Sequence, residues 1–124
     1  MTNSRTYYRS IRDDRDAWRD EMPQVCMCCG RKGHLEIHEI ERKSQAPTRW
    51  AKRCNYLLLL NSCHAGPFAS MEHARQLAFK LIRDPENFDL MGWLAIKDPG
   101  LRAPERVTMD EIREQVEAIQ GVSI

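Results

Sequence analysis

At 124 residues, 42% hydrophobic and 30% charged, the chain has the size and composition of one ordinary soluble domain and is too short for two. No apolar run approaches the ~18 residues that span a bilayer; the longest is Tyr56 to Leu60, and the polar start MTNSRTYYRS has no signal-like character, so a cytoplasmic protein with no membrane partner is expected. The formal net charge of +1 conceals a division: residues 1–22 balance five Arg against five acids, residues 23–83 carry ten Lys/Arg against four Glu, and residues 84–124 carry four against nine. The basic surplus suits a polyanion partner, although clustered signs on solvated faces would look the same.

Residues 1–22 have a weak helical pattern, with Tyr8, Ile11 and Trp18 roughly on one face. Arg12-Asp13-Asp14-Arg15-Asp16 is too polar to pack much, so a short surface helix or arm ended by Pro23 is expected. Its arginines could touch a nucleic-acid backbone, but aspartates at helical spacing favour intrahelical pairs.

All five cysteines and three of the four histidines lie between Cys26 and His64. In a reducing compartment an odd number of cysteines reads as metal ligands or free thiols rather than disulfides. Cys26-Met27-Cys28-Cys29-Gly30 holds a Cys-x2-Cys turn followed by glycine, the form of a zinc knuckle: two thiolates share a tetrahedral metal while glycine lets the backbone bend around it. His34-Leu35-Glu36-Ile37-His38 then alternates as a strand, with Leu35 and Ile37 inward and His34, Glu36 and His38 on the other face. Glu41 to Asn55, with Pro47 and five basic residues, reads as a loop, and Tyr56 to Leu60 as a buried strand.

After Cys63-His64 a helix is expected, with Ser70 as N-cap, a stripe of Met71, Ala74, Leu77, Ala78, Leu81 and Ile82, and Asp84-Pro85 as its stop. His73, in its first turn, reads as an exposed or capping residue. A short helix capped by Asp89 would run through Leu90, Met91, Trp93, Leu94 and Ile96. Thr108-Met109-Asp110-Glu111 is a capping box for a last helix striped by Met109, Ile112, Val116 and Ile119, with Gly121 past its end.

The order of Cys-x2-Cys, a strand ending in His38-Glu39-Ile40, a basic loop to Asn55, an apolar strand and Cys63-His64 before a helix resembles the HNH endonuclease family over about residues 26–82. His38, Asn55 and His64 follow its His-Asn-His order. The resemblance implies an α+β fold with a small ββα-metal core at residues 23–84, flanked by the arm at 1–22 and a helical extension at 85–124, all in one domain. It also implies metal-dependent hydrolysis of DNA phosphodiester bonds; family members are common in phage, restriction and homing systems.

By the same resemblance His38 and His64 hold a divalent cation, Mg²⁺ or Mn²⁺. Glu39 stands where the family usually has its general-base histidine, so it is a base, a metal ligand, or the mark of a binding-only member. Asn55 orients the loop or the catalytic group, and Arg42, Lys43, Arg49, Lys52 and Arg53 grip phosphates. Trp50 either stacks on a base or anchors the loop. The family's second Cys-x2-Cys would fall at positions 60 and 63, yet position 60 is Leu60. Cys26, Cys29 and Cys63 are thus three ligands for a structural Zn²⁺ whose fourth is Cys28 or His34; Cys54, a strand's length away at ~3.3 Å per residue, is too distant. The rival readings are a zinc-dependent nucleic-acid-binding module without cleavage and a protein-interaction domain working through its acidic C-terminal helices.

Overall fold

Tyr56-Leu57-Leu58-Leu59-Leu60 is the segment around which the chain folds. In the computed structural model, which describes residues 4–42, 50–88, 93 and 107–121, it forms strand β2 (Tyr56–Leu60), pairing antiparallel with β1 (Leu35–Glu39). Leu35 lies opposite Leu60, His38 opposite Leu57 and Glu39 opposite Tyr56. Tyr56 to Leu59 are all buried because both faces of β2 are covered. Its second edge is covered too: Met27 N–H donates to the Leu58 carbonyl at 2.8 Å, which docks the Cys26–Gly30 turn alongside the strand.

Helix α1 (Ser4–Glu21) packs more firmly than so polar a sequence suggests. Trp18 is wholly buried against Tyr56, with ring centroids 5.5 Å apart, and its indole N–H donates to Asp84 Oδ2 at 2.9 Å. One buried Trp removes enough apolar area to contribute roughly 4–6 kcal/mol, which suffices to dock a helix whose other faces are polar. The ion pairs also differ from the intrahelical ones expected. Arg15 pairs with Glu39 at 2.8 Å, Arg19 donates to the Leu35 carbonyl, and Asp14 and Glu21 both pair with Arg53. These contacts tie α1 to β1 and to the 3-10 turn Arg53–Asn55 that leads into β2.

Helix α2 (Asn61–Ala65) follows β2 directly, and a 3-10 turn at Pro67–Ser70 leads to α3 (His73–Arg83). Gly66 is required at the reversal, since a Cβ there would lie 2.5 Å from the Ser62 carbonyl oxygen. The helix does not start at Ser70. Burial of Phe68 draws Pro67–Ser70 into a separate turn, Met71 is extended, and Glu72 takes the cap position without a side-chain cap bond. Near the other end of α3, buried Lys80 donates to Asp84 Oδ2 at 2.7 Å and to the Tyr56 carbonyl at 2.6 Å, with its ammonium 4.8 Å from the Trp18 ring. Burial pulls the Lys80 pKa down, and Asp84 opposes that shift.

In helix α4 (Met109–Gly121) Thr108 Oγ1 accepts the Glu111 N–H at 3.2 Å, as the capping motif predicts. Ile112 is buried and Val116 and Ile119 pack on the core, but Met109 is exposed, and Gly121 is the last helical residue rather than the first beyond the helix. Of the helix expected over 89–96 only Trp93 is described; it is helical and buried against Phe88. Lys43 and Arg49 lie outside the described residues. The architecture is α+β, and no helix among the described residues is long and apolar enough to cross a membrane.

Candidate metal centre and histidine site

The Cys26–Gly30 turn is built as a knuckle. Cys26 N–H donates to the Arg31 carbonyl and Gly30 N–H to the Cys26 carbonyl, at 2.9 and 2.8 Å, and Gly30 has φ 78°, a conformation that glycine adopts without strain. Because α2 follows β2 without a loop, Cys63 is delivered onto this turn. The sulfur atoms of Cys26, Cys29 and Cys63 all lie within 4.8 Å of one another and could hold a metal such as zinc.

The surroundings divide the thiols. The Arg31 guanidinium, with Nε 3.4 Å from the Cys29 sulfur, brings the Cys29 thiol down to about 6, whereas burial pushes Cys63 up to about 12. The Leu60 N–H points to the Cys26 sulfur at 3.3 Å, so the backbone of position 60 supports a ligand although its side chain supplies none. Cys28 falls outside the three-sulfur group, as do His34 and Cys54.

His38 and His64 form the second centre. Antiparallel pairing and the immediate turn into α2 place their rings edge to face, with centroids 5.0 Å apart. They border an open cavity of about 390 Å³ shared with Arg42, Glu39 and Phe68. Each ring has one nitrogen occupied. Gln76 Nε2 donates to the Met71 carbonyl at 2.9 Å, which turns Gln76 Oε1 toward His38 Nε2 at 2.7 Å. That oxygen only accepts, so the partners assign the proton to His38 Nε2 and the free lone pair to Nδ1. Likewise the Glu36 carboxylate lies 2.8 Å from His64 Nδ1, an acceptor that assigns a proton to Nδ1.

Burial, reinforced by the neighbouring His64, lowers the His38 pKa and keeps its ring neutral, although Gln76 opposes the shift. Glu36 is held low, first by its bond to His64 and then by Asn61 Nδ2, which donates to its second oxygen at 2.9 Å. Each imidazole thus has one nitrogen engaged and its ring orientation held by neighbours.

The other candidates separate. Glu39 borders the cavity, but strand alternation turns its carboxylate toward α1, where Arg15 Nη1 donates to Oε1 and the Trp50 indole N–H to Oε2. No bulge brings it round to the face that His38 presents, since β1 pairs in continuous register through Glu39. Trp50 is therefore a loop anchor in this arrangement. Asn55 is fully buried and binds the Glu41 backbone in both directions: Oδ1 accepts its N–H at 2.8 Å and Nδ2 donates to its carbonyl at 2.9 Å. Of the basic residues, Arg42 lines the cavity, Lys52 is exposed, and Arg53 is engaged by Asp14 and Glu21. His73 is turned inward rather than exposed, with Nε2 3.2 Å from the buried Glu41 carboxylate.

No family model matches the chain, and neither the curated proteins nor the solved structures yield a match to it. Sequence reasoning missed Glu36, Asn61 and Gln76 as partners of the histidines. Glu36 had a signal, since it shares the strand face of His38; Gln76, on a distant helix, had none.

Proposed function

We propose that the protein is a metal-dependent DNA endonuclease of HNH type, hydrolysing phosphodiester bonds at the His38/His64 centre. The observation that carries this reading is the placement of the two rings: their centroids lie 5.0 Å apart, with Gln76 and Glu36 each engaging one ring nitrogen, beside an open, Arg42-lined cavity. His38 and His64 would hold the divalent cation, which would neutralise charge on the scissile phosphate and stabilise the leaving oxygen. Arg42 contributes a phosphate contact at the mouth of the cavity. Asn55 holds the strand-to-loop junction at Glu41, and the three cysteines hold a structural Zn²⁺ that fastens the knuckle to β2 and α2.

A second reading is favoured by Glu39. With both carboxylate oxygens engaged by Arg15 and Trp50, it must surrender those bonds before serving as a general base. A zinc-binding nucleic-acid module without cleavage fits that arrangement. The deciding experiment incubates supercoiled plasmid with the protein and Mg²⁺, Mn²⁺ or Ni²⁺, with EDTA and His64→Ala as controls. Metal-dependent nicking that is lost in the variant is the expected outcome. DNA retention in gel shift without any cutting would overturn the enzyme and leave the binding module.

A further inference from the structure

We infer that the groove between α1 and β1 is a seat for single-stranded DNA leading into the His38/His64 cavity; this rests on the nuclease reading. The groove has a volume of about 480 Å³. Tyr8, Arg12, Arg15 and Arg19, spaced four, three and four residues apart, line it along one face of α1, and Trp50 lines it from the loop side.

Its chemistry is that of a stacking platform rather than a simple basic trough. Tyr8 is 44% exposed and stands edge to face with the equally exposed Tyr7, at a centroid separation of 5.3 Å. Arg15 and Arg19 are held in place by Glu39 and by the Leu35 carbonyl, so their guanidinium groups are already ordered. Arg12 makes no hydrogen bond or ion pair among the described residues. Asp16 and Glu36 also line the groove, and with Glu39 offsetting Arg15 the local charge is nearly balanced. An exposed aromatic ring beside fixed arginines suits unpaired bases, which stack on it, better than a duplex, whose bases are hidden and whose affinity depends on many phosphate contacts.

The groove also joins the site. Ile37 lines both cavities, and Glu36 lines the groove while its carboxylate holds His64. A strand lying along α1 is thereby delivered to the two histidines.

The test measures anisotropy of a fluorescein-labelled oligothymidylate and of a hairpin duplex of equal length. It uses the full chain in EDTA across a salt series, with circular dichroism to confirm folding of the variants. Tyr8→Ala is expected to weaken the single strand about tenfold, within the range for loss of one base stack. Arg12→Ala is expected to reduce the log–log salt slope by about 0.7, the value for one phosphate contact on a single strand. If folded Tyr8→Ala and Arg12→Ala bind and cut DNA like the parent, the groove assignment is wrong while the nuclease stands. If they lose the oligonucleotide as expected and the parent never cuts plasmid, the groove stands and the nuclease falls. Duplex binding without single-strand binding overturns the groove.

Discussion

Glu36 Oε2 lies 2.8 Å from His64 Nδ1, and Asn61 fixes the other carboxylate oxygen, so the imidazole of His64 is oriented by a strand residue and the first residue of α2. Partners of this kind set both the tautomer and the basicity of a metal-binding histidine. Glu36→Ala is therefore expected to weaken Mn²⁺ binding by about 10–100-fold, with Glu36→Gln, which keeps an acceptor, intermediate. Isothermal titration with Mn²⁺ checks this, and equal affinities across the three proteins would remove Glu36 from the site.

Gln76 holds His38 in the same manner, but through an amide whose orientation depends on the Met71 carbonyl. Gln76→Glu replaces a neutral acceptor with an anion beside a half-buried imidazole. The His38 pKa should then rise, reversing the depression caused by burial. An NMR titration of the histidine ring protons reads this directly; an unchanged or lower His38 pKa counts against the contact.

Asn55 closes two hydrogen bonds with the Glu41 backbone inside the core. Asn55→Ala leaves a buried N–H and C=O without that partner, for a loss of roughly 2–4 kcal/mol. Urea denaturation should show the midpoint falling with little change in slope. A loss below ~0.5 kcal/mol would mean that water or a rearranged loop replaces the amide.

The three-sulfur group predicts metal-dependent stability. Elemental analysis should find zinc, and removing it with a strong chelator should lower the melting temperature by more than ~10 °C. Cys63→Ser should melt like the stripped protein whether or not zinc is added. Loss of zinc without a thermal shift would reduce the knuckle to an incidental cluster.

Tyr56 supplies a pH dependence. Its burial pushes the phenol up to about 12 from an ordinary value near 10. Between those values the unfolded chain ionises while the folded chain keeps its proton, so stability present below pH ~10 is lost as pH rises. Tyr56→Phe should therefore show a shallower decline than the parent over pH 10–12 in denaturant melts. Parallel curves would place the phenol in a more solvated setting.

Much of the frame was legible because it is written in local patterns. The apolar run Tyr56 to Leu60 is the strand expected of it, with matching bounds. Alternation from His34 to His38 identified which residues share a face, and the capping box at Thr108 identified the entry to α4. The Cys-x2-Cys turn marked Cys26 and Cys29, and the resemblance to the HNH family added Cys63; the fold brings these three thiols together. Each of these depends on neighbours a few residues away, or on a strand and turn whose lengths are visible in the chain.

The details that bear on function were decided at long range. Alternation showed that Glu39 faces away from His38, but that face is occupied by Arg15, 24 residues earlier, and Trp50, 11 residues later. It put Glu36 beside His38 in the strand, yet only the reversal through α2 turned Glu36 into the partner of His64. Trp18 looked like one aromatic in a polar arm until Asp84 and Lys80, more than sixty residues away, closed around it. By itself the sequence determined which side chains were available and which face of each element they occupy. The tertiary structure alone decided which of them meet, because burial and hydrogen bonding depend on which distant element covers that face.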